Sequence, residues 1–317
     1  MPRCVLYRIE SHRNRALFPS FNARALGLRC SAVETVELAA AAGFAGVDLL
    51  VREIDETGES VSDLRHRLDD RGLRPGAFPL PIDWRGGSER FQSDLARLPR
   101  LADLAATLGL LRTGTWVMPE TPESLSGDGP IAAIQATAQF HHERLGRIAE
   151  VLAERSIRLG LEVIGVESFR SGKGSRFVAK LGELTDRLGP LESIGPNVGI
   201  LVDGFHLYAA NETVDQALAW GAGQVVWVHL ADLPIGASRE RSTIIDHERG
   251  LPNENGAVDS RGLLETLSAA GYDGPVTVEP LAGCRSLDGL PPEEVARRSY
   301  ESIRRVWPNR SARLEQI

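Results

Sequence analysis

From residue 22 onward the chain repeats one unit: a stretch rich in Ala, Leu and Arg with helical spacing, a turn containing Gly, then a short apolar run suited to a buried parallel strand. Such runs predict strands at 24–30 (RALGLRC), 46–51 (GVDLLV), 75–82 (PGAFPLPI), 110–118 (LLRTGTWVM), 159–165 (LGLEVIG), 198–205 (VGILVDGF), 224–230 (QVVWVHL) and 275–281 (PVTVEPL). Helical patterns alternate with them at 32–42, 62–71, 88–108, 131–155, 175–188, 213–220, 260–270 and 292–306. In the fourth helix Leu145, Ile148, Ala149 and Leu152 recur at i, i+3, i+4 and i+7, the stripe of a helix packed on a sheet. Asp259 and Ser260 supply start signals for the seventh.

Eight strand and helix pairs match the order and size of a (β/α)8 TIM barrel, whereas an open doubly wound sheet more often has about five or six strands. The pattern therefore predicts an α/β protein with one barrel domain over residues 22–310. Residues 1–21 show no clear period and read as a short N-terminal extension on its surface.

Composition narrows the function. With 317 residues and 42% hydrophobic side chains, the chain has material for a large core, which excludes a disordered tail or a fibre. Lys and Arg number 36 against 43 Asp and Glu, and the resulting charge of −7 repels phosphate backbones, so no nucleic-acid partner is expected. Cys4, Cys30 and Cys284 have no CxxC spacing, which argues against a disulfide framework and a thiolate zinc site. No run reaches the roughly 18 apolar residues of a membrane helix, and charges interrupt the first segment where a signal peptide is apolar. A cytoplasmic protein without a membrane partner is expected.

Barrel enzymes place their chemistry where strands end, so ionisable residues late in apolar runs are the candidates. Glu162 interrupts LGLEVIG, Asp203 interrupts GILVDGFH, His229 closes VVWVHLAD and Glu279 sits in PVTVEPL. A carboxylate in such a setting is costly unless paired, protonated or bound to a metal. Any one of them has a structural explanation, as a partner of a barrel arginine or a helix cap. Together, on the last four strands in succession, they form an arc that reads as one divalent metal site. Three hard oxygen donors and one imidazole favour Mn2+, with Mg2+, Co2+ or Zn2+ also admissible.

At these residues the sequence resembles the xylose isomerase-like TIM barrel superfamily, and within it the sugar phosphate isomerases and epimerases. The resemblance rests on LEVIG with Glu162, VDGFH with Asp203 and His206, VHLAD with His229, and GYDGPVTVEP with Glu279. It implies that Glu162, Asp203, His229 and Glu279 are metal ligands, with Glu162 and Glu279 also catalytic. It further implies that His206 and Arg249 contact substrate. Arg249 precedes Pro252, Asn253, Glu254, Asn255 and Gly256, where the family carries a PGxG turn. Glu167 resembles a second substrate-binding glutamate, and Trp116 is a candidate pocket wall, as aromatic faces often stack on sugars. The family also suggests a homo-oligomer.

The resemblance implies proton abstraction beside a carbonyl, through an enediolate. Glu162 and Glu279 on different strands would remove a proton from one face of a carbon and return it to the other, giving epimerisation. Return to the neighbouring carbon gives isomerisation. Loss of a β-hydroxyl, helped by His206, would make the protein a lyase of the inosose or 3-dehydroshikimate dehydratase type. The substrate is then a sugar, a sugar phosphate or a cyclic polyol ketone.

Other signals are weaker. SGKGS at 171–175 lacks the GxxxxGK spacing of a phosphate loop, and no GxSxG elbow of a serine hydrolase occurs. Arg239, Arg241, Asp246 and His247 lie on a long stretch that reads as a lid or as a solvated loop. His141 and His142 fall in mid-helix and read as packing or surface residues, and Trp84 and Trp227 as core. Two rival classes are a metal-dependent nuclease, disfavoured by the charge and by only two lysines, and a noncatalytic sugar-binding barrel.

Overall fold

The computed structural model describes residues 16–125 and 128–308. Its strands are β1 (Phe18–Phe21), β2 (Gly46–Val47), β3 (Arg74–Pro75), β4 (Phe78–Pro79), β5 (Arg112–Trp116), β6 (Arg158–Glu162), β7 (Val198–Asp203), β8 (Val225–Leu230) and β9 (Pro275–Val278). All paired neighbours are parallel, in the order β3-β2-β1-β9-β8-β7-β6-β5-β4. Only Gly76 and Ala77 separate β3 from β4, so both ends of this order belong to one interrupted strand and the sheet closes into the TIM barrel.

That interruption has a local cause. Gly76 N–H donates to the Val47 carbonyl at 2.8 Å, and Ala77 N–H donates to Asp48 Oδ1 at 2.8 Å, so a side-chain oxygen replaces a ladder carbonyl. A Cβ at position 76 would collide with Asp48 Oδ1 and Ser20 Oγ, which is why glycine stands there. Inside the barrel Leu201, Trp227 and Ala77 pack together, and Gly114 makes room for Leu201 and Trp227.

The helices are α1 (Ala32–Ala42), α2 (Val51–Thr57), α3 (Val61–Asp70), α4 (Ser88–Leu108), α5 (Pro130–Ala153), α6 (Leu181–Leu188), α7 (Gly204–Ala209), α8 (Val214–Leu218), α9 (Ser260–Ala269) and α10 (Pro292–Val306). The expected stripe of α5 is buried, since Leu145, Ile148, Ala149 and Leu152 all face the core. Asp259 caps α9 as its position suggests, accepting from Gly262 N–H at 2.9 Å. None of the described helices is long and apolar enough to cross a membrane.

The first strand differs from expectation. It lies at Phe18–Phe21, within the segment read as an extension, and pairs with both β2 and β9. Residues 24–30, expected as that strand, instead begin with a 3-10 turn at Arg24–Leu26. Gly27 closes this turn at φ +78, a left-handed conformation that no extended strand contains. Residues 1–15, with Cys4, lie outside the described residues. The run at 46–51 is also shorter than expected, because Val51 opens α2.

Candidate metal centre

Parallel register lines the four candidate ligands along one rim. Asp203 at the end of β7 stands beside His229 on β8, and His229 beside Thr277 on β9. Glu279 follows β9 directly and is held by its N–H to the Leu230 carbonyl at 2.8 Å. Glu162 ends β6. The apolar runs that make these strands deliver the polar residues to the barrel mouth at the point where each run ends.

One ligand atom from each of Glu162, Asp203, His229 and Glu279 lies within 4.8 Å of all the others. His229 Nδ1 is 3.1 Å from Glu279 Oε2 and 3.7 Å from Glu162 Oε1. All but Glu279 are buried. Glu162 Oε1 and both ring nitrogens of His229 have no hydrogen-bond partner among the described residues. Buried polar atoms are ordinarily bonded, so orphaned donors converging on one point fit a cation.

The electrostatics divide the carboxylates. Burial raises the Glu162 carboxyl, and the charge of Glu279 adds to that rise, against the pull of His229. Burial works the same way on Asp203, but Arg249, His206 and His229 hold it down at about 2. For His229, burial disfavours the cation and is overcome by Glu279 and Glu162, which raise the imidazole well above its ordinary value.

Asp203 also organises its surroundings. Its Oδ1 caps α7, accepting from Phe205 N–H at 2.7 Å and His206 N–H at 3.4 Å, while Oδ2 accepts from Arg249 Nη1 at 2.8 Å. Arg249 is 2% exposed and further engaged with Asp246 at 2.6 Å and Glu279 at 3.3 Å. Its Nη2 lies 3.0 Å from His206 Nε2. The guanidinium thus braces the Asp203 and Glu279 carboxylates and presents no open face. The loop that carries it is gathered by Asp232, whose carboxylate accepts backbone N–H groups from Leu233, Asn255, Gly256, Ala257 and Val258. Asn253 takes φ +64, a conformation that asparagine tolerates.

A cavity of about 310 Å³ reaches the cluster, and its lining includes Glu162, His229, Glu279, Trp116, Arg85 and Asn22. Trp116 is among the residues that line it. Glu167 is not: it lies in a 3-10 turn at Glu167–Phe169, is exposed, and its carboxylate is 3.7 Å from Arg170. His206 and Arg249 lie outside this lining. The stretch with Arg239 and Arg241 is tied to α7 and to Asn255, through Tyr208 Oη to the Arg239 carbonyl at 2.9 Å, Arg241 Nε to the Tyr208 carbonyl at 2.8 Å and Arg239 Nε to Asn255 Oδ1 at 2.8 Å. Sequence reasoning missed Arg85 and Asn22. Arg85 follows the expected run at 75–82, whereas Asn22 follows β1, a strand that left no signal in the sequence.

A profile of the family described as xylose isomerase-like TIM barrel matches residues 36–306. The chain is 25% identical over 250 residues to a 3-dehydroshikimate dehydratase of Pseudomonas putida, covering 78% of this chain and 35% of that relative. It thus spans about a third of the length of the curated relatives it matches. A solved xylose isomerase domain protein from Alicyclobacillus acidocaldarius superposes with a TM-score of 0.74 at 28% identity, covering 92% of this chain and 98% of that one. The IOLI protein, solved with a zinc atom, superposes with a TM-score of 0.71 at 16% identity, covering 92% and 97%.

Proposed function

The chain belongs to the xylose isomerase-like TIM barrel family, and from that premise we propose that it is a divalent-metal-dependent isomerase or epimerase. Its substrate would be a sugar, a sugar phosphate or a related polyhydroxy carbonyl compound. The observation that carries this reading is the convergence of four donor residues within 4.8 Å, with Glu162 Oε1 and both His229 ring nitrogens lacking a hydrogen-bond partner among the described residues. Glu162, Asp203, His229 and Glu279 would hold the ion, which when bound polarises a carbonyl and its neighbouring hydroxyl and makes the adjacent C–H more acidic. Manganese suits the hard-oxygen donor set with one nitrogen best.

The chain's own residues would move the proton. Glu162 and Glu279 approach His229 from different strands, at 3.7 and 3.1 Å, so two carboxylates face one centre. One takes the proton from a carbon and the other returns it to the opposite face, which is epimerisation. Return to the adjoining carbon exchanges aldose for ketose. Arg249 and His206 keep Asp203 and Glu279 in place from behind, and Trp116 walls the cavity.

A second reading is a lyase that removes water from an inosose or dehydroshikimate ring on the same site. The 25% identity to a 3-dehydroshikimate dehydratase over 78% of the chain favours it.

Both readings use Glu279 in the proton transfer. Wild-type protein with manganese, in deuterated water, is given fructose, fructose 6-phosphate, an inosose and 3-dehydroshikimate, and substrate exchange and product are followed by NMR. At least one compound exchanges or turns over with the wild type, and Glu279→Gln, folded by circular dichroism, stops it. A shift of a hydroxyl or carbonyl identifies the isomerase or epimerase, and loss of water the lyase. Undiminished exchange in the variant removes Glu279 as base. Binding without exchange of any compound supports the noncatalytic barrel instead.

A further inference from the structure

Beyond its metal-type ligands, the same cavity is lined by Arg85, Thr115 and Trp116. Arg85 lies in the loop between β4 and α4, half-buried. Its guanidinium carbon sits 3.6 Å from the centroid of the Trp116 ring, within cation–π range. Nη1 donates to Thr115 Oγ1 at 3.0 Å and to the Trp116 carbonyl at 2.9 Å. Nε and Nη2 have no acceptor among the described residues, and no described carboxylate forms an ion pair with Arg85.

The other arginines near the site are engaged. Arg24, also in the lining, pairs with Glu53, and Arg249 with Asp203, Asp246 and Glu279. Burial pushes Arg85 down to about 10, against the charges of Asp83 and Glu162, neither of which reaches ion-pair distance, so it remains a cation at neutral pH. A partly desolvated cation with an open fork is costly until an anion completes it.

We propose that Arg85, braced on Trp116, is an anion subsite of this cavity, and that the substrate carries a carboxylate or phosphate group. The open Nε and Nη2 edge presents two near-parallel N–H donors, the arrangement that takes two oxygens of one anion side-on. Thr115 and Trp116 fix the far side of the guanidinium, so the edge is held before the ligand arrives. The inference rests on the cavity being the active site assumed above, and not on the identity or presence of the metal.

The test uses the full chain loaded with manganese, and calorimetric titration with two matched pairs: quinate against its neutral methyl ester, and myo-inositol 1-phosphate against myo-inositol. At least one anion binds wild-type protein about 10- to 100-fold more tightly than its neutral counterpart, the range of a charge-assisted pair. Arg85→Gln brings that ratio close to one, and Arg85→Lys, which keeps the charge without the fork, lowers it by about threefold or more. The pair that shows the preference tells carboxylate from phosphate. No preference in the wild type, or a preference that survives in Arg85→Gln, overturns the subsite. If Arg85→Gln fails to fold, an undiminished ratio in Arg85→Lys overturns it equally. Manganese content is measured alongside. An Arg85-dependent ratio in a protein that holds no manganese sinks the metal reading and leaves the subsite standing, whereas bound manganese with an Arg85-independent ratio does the reverse.

Discussion

Asp48 and Glu162 are both carboxylates buried inside the barrel, yet their surroundings differ in kind. Asp48 Oδ1 accepts from Ser20 Oγ at 2.6 Å and from Ala77 N–H at 2.8 Å, and Oδ2 accepts from Thr277 Oγ1 at 2.6 Å. Thr277 in turn accepts from Trp227 Nε1 at 2.8 Å, and the Trp227 ring meets His229 edge to face, with centroids 4.4 Å apart. Glu162 Oε1 has no hydrogen-bond partner among the described residues, with only His229 Nδ1 near it at 3.7 Å. Burial marks both residues, but only the unsatisfied one is free to bind something. Asp48 ties three strands and the break between β3 and β4 together, whereas Glu162 ends its strand facing the cavity.

The sharpest way to break this contrast is to remove the satisfied carboxylate. Asp48→Ala leaves two hydroxyls and one N–H buried without acceptors, and should cost about 3–4 kcal/mol in denaturant unfolding. A loss below about 1 kcal/mol would mean that Asp48 is no strut.

His141 extends the comparison to a buried base that is fully bonded. Its Nδ1 donates to the Thr137 carbonyl at 2.7 Å and Nε2 accepts from Met118 N–H at 3.3 Å, while burial lowers it from 6.5 to about 4. The unfolded chain therefore takes up this proton first on acidification. The stabilisation from the neutral ring is complete above 6.5 and is lost as pH falls towards 4. Stability should drop by about 3 kcal/mol across that window, and His141→Gln should flatten the dependence. An unchanged slope in the variant would assign the acid sensitivity elsewhere.

Glu162→Gln gives the opposite signature to Asp48→Ala. Unfolding of the metal-free protein should move by less than about 1 kcal/mol, because no hydrogen bond to Oε1 is broken. Manganese affinity should fall about 100-fold, measured by calorimetry, since a charged oxygen ligand becomes a neutral amide. A large loss of stability with unchanged affinity would place Glu162 beside Asp48 as a structural carboxylate.

Much of this was legible in the amino-acid order. Glu162, Asp203, His229 and Glu279 each interrupt or close an apolar run, and a charged residue in such a run signals its own exceptional setting. The β1 strand was not legible, because a four-residue FPSF segment containing Pro19 has neither alternation nor length. The engagement of Arg249 was hidden for another reason: Asp203, Asp246 and Glu279 meet it only in three dimensions, and no spacing records that an arginine's fork is already filled. Arg85 escaped notice because a search for strand-end carboxylates passes over cations. Glu167 shows the converse, since resemblance alone placed it at the substrate while a 3-10 turn carries it outward.

A metal site built from the four strand-end residues is decided by elemental analysis of the dialysed protein beside His229→Ala, after incubation with Mn2+. One divalent ion per chain is expected in the unmodified protein and loss of that ion in the variant, with both proteins folded by circular dichroism. Full metal content in His229→Ala, or none in either protein, would contradict it.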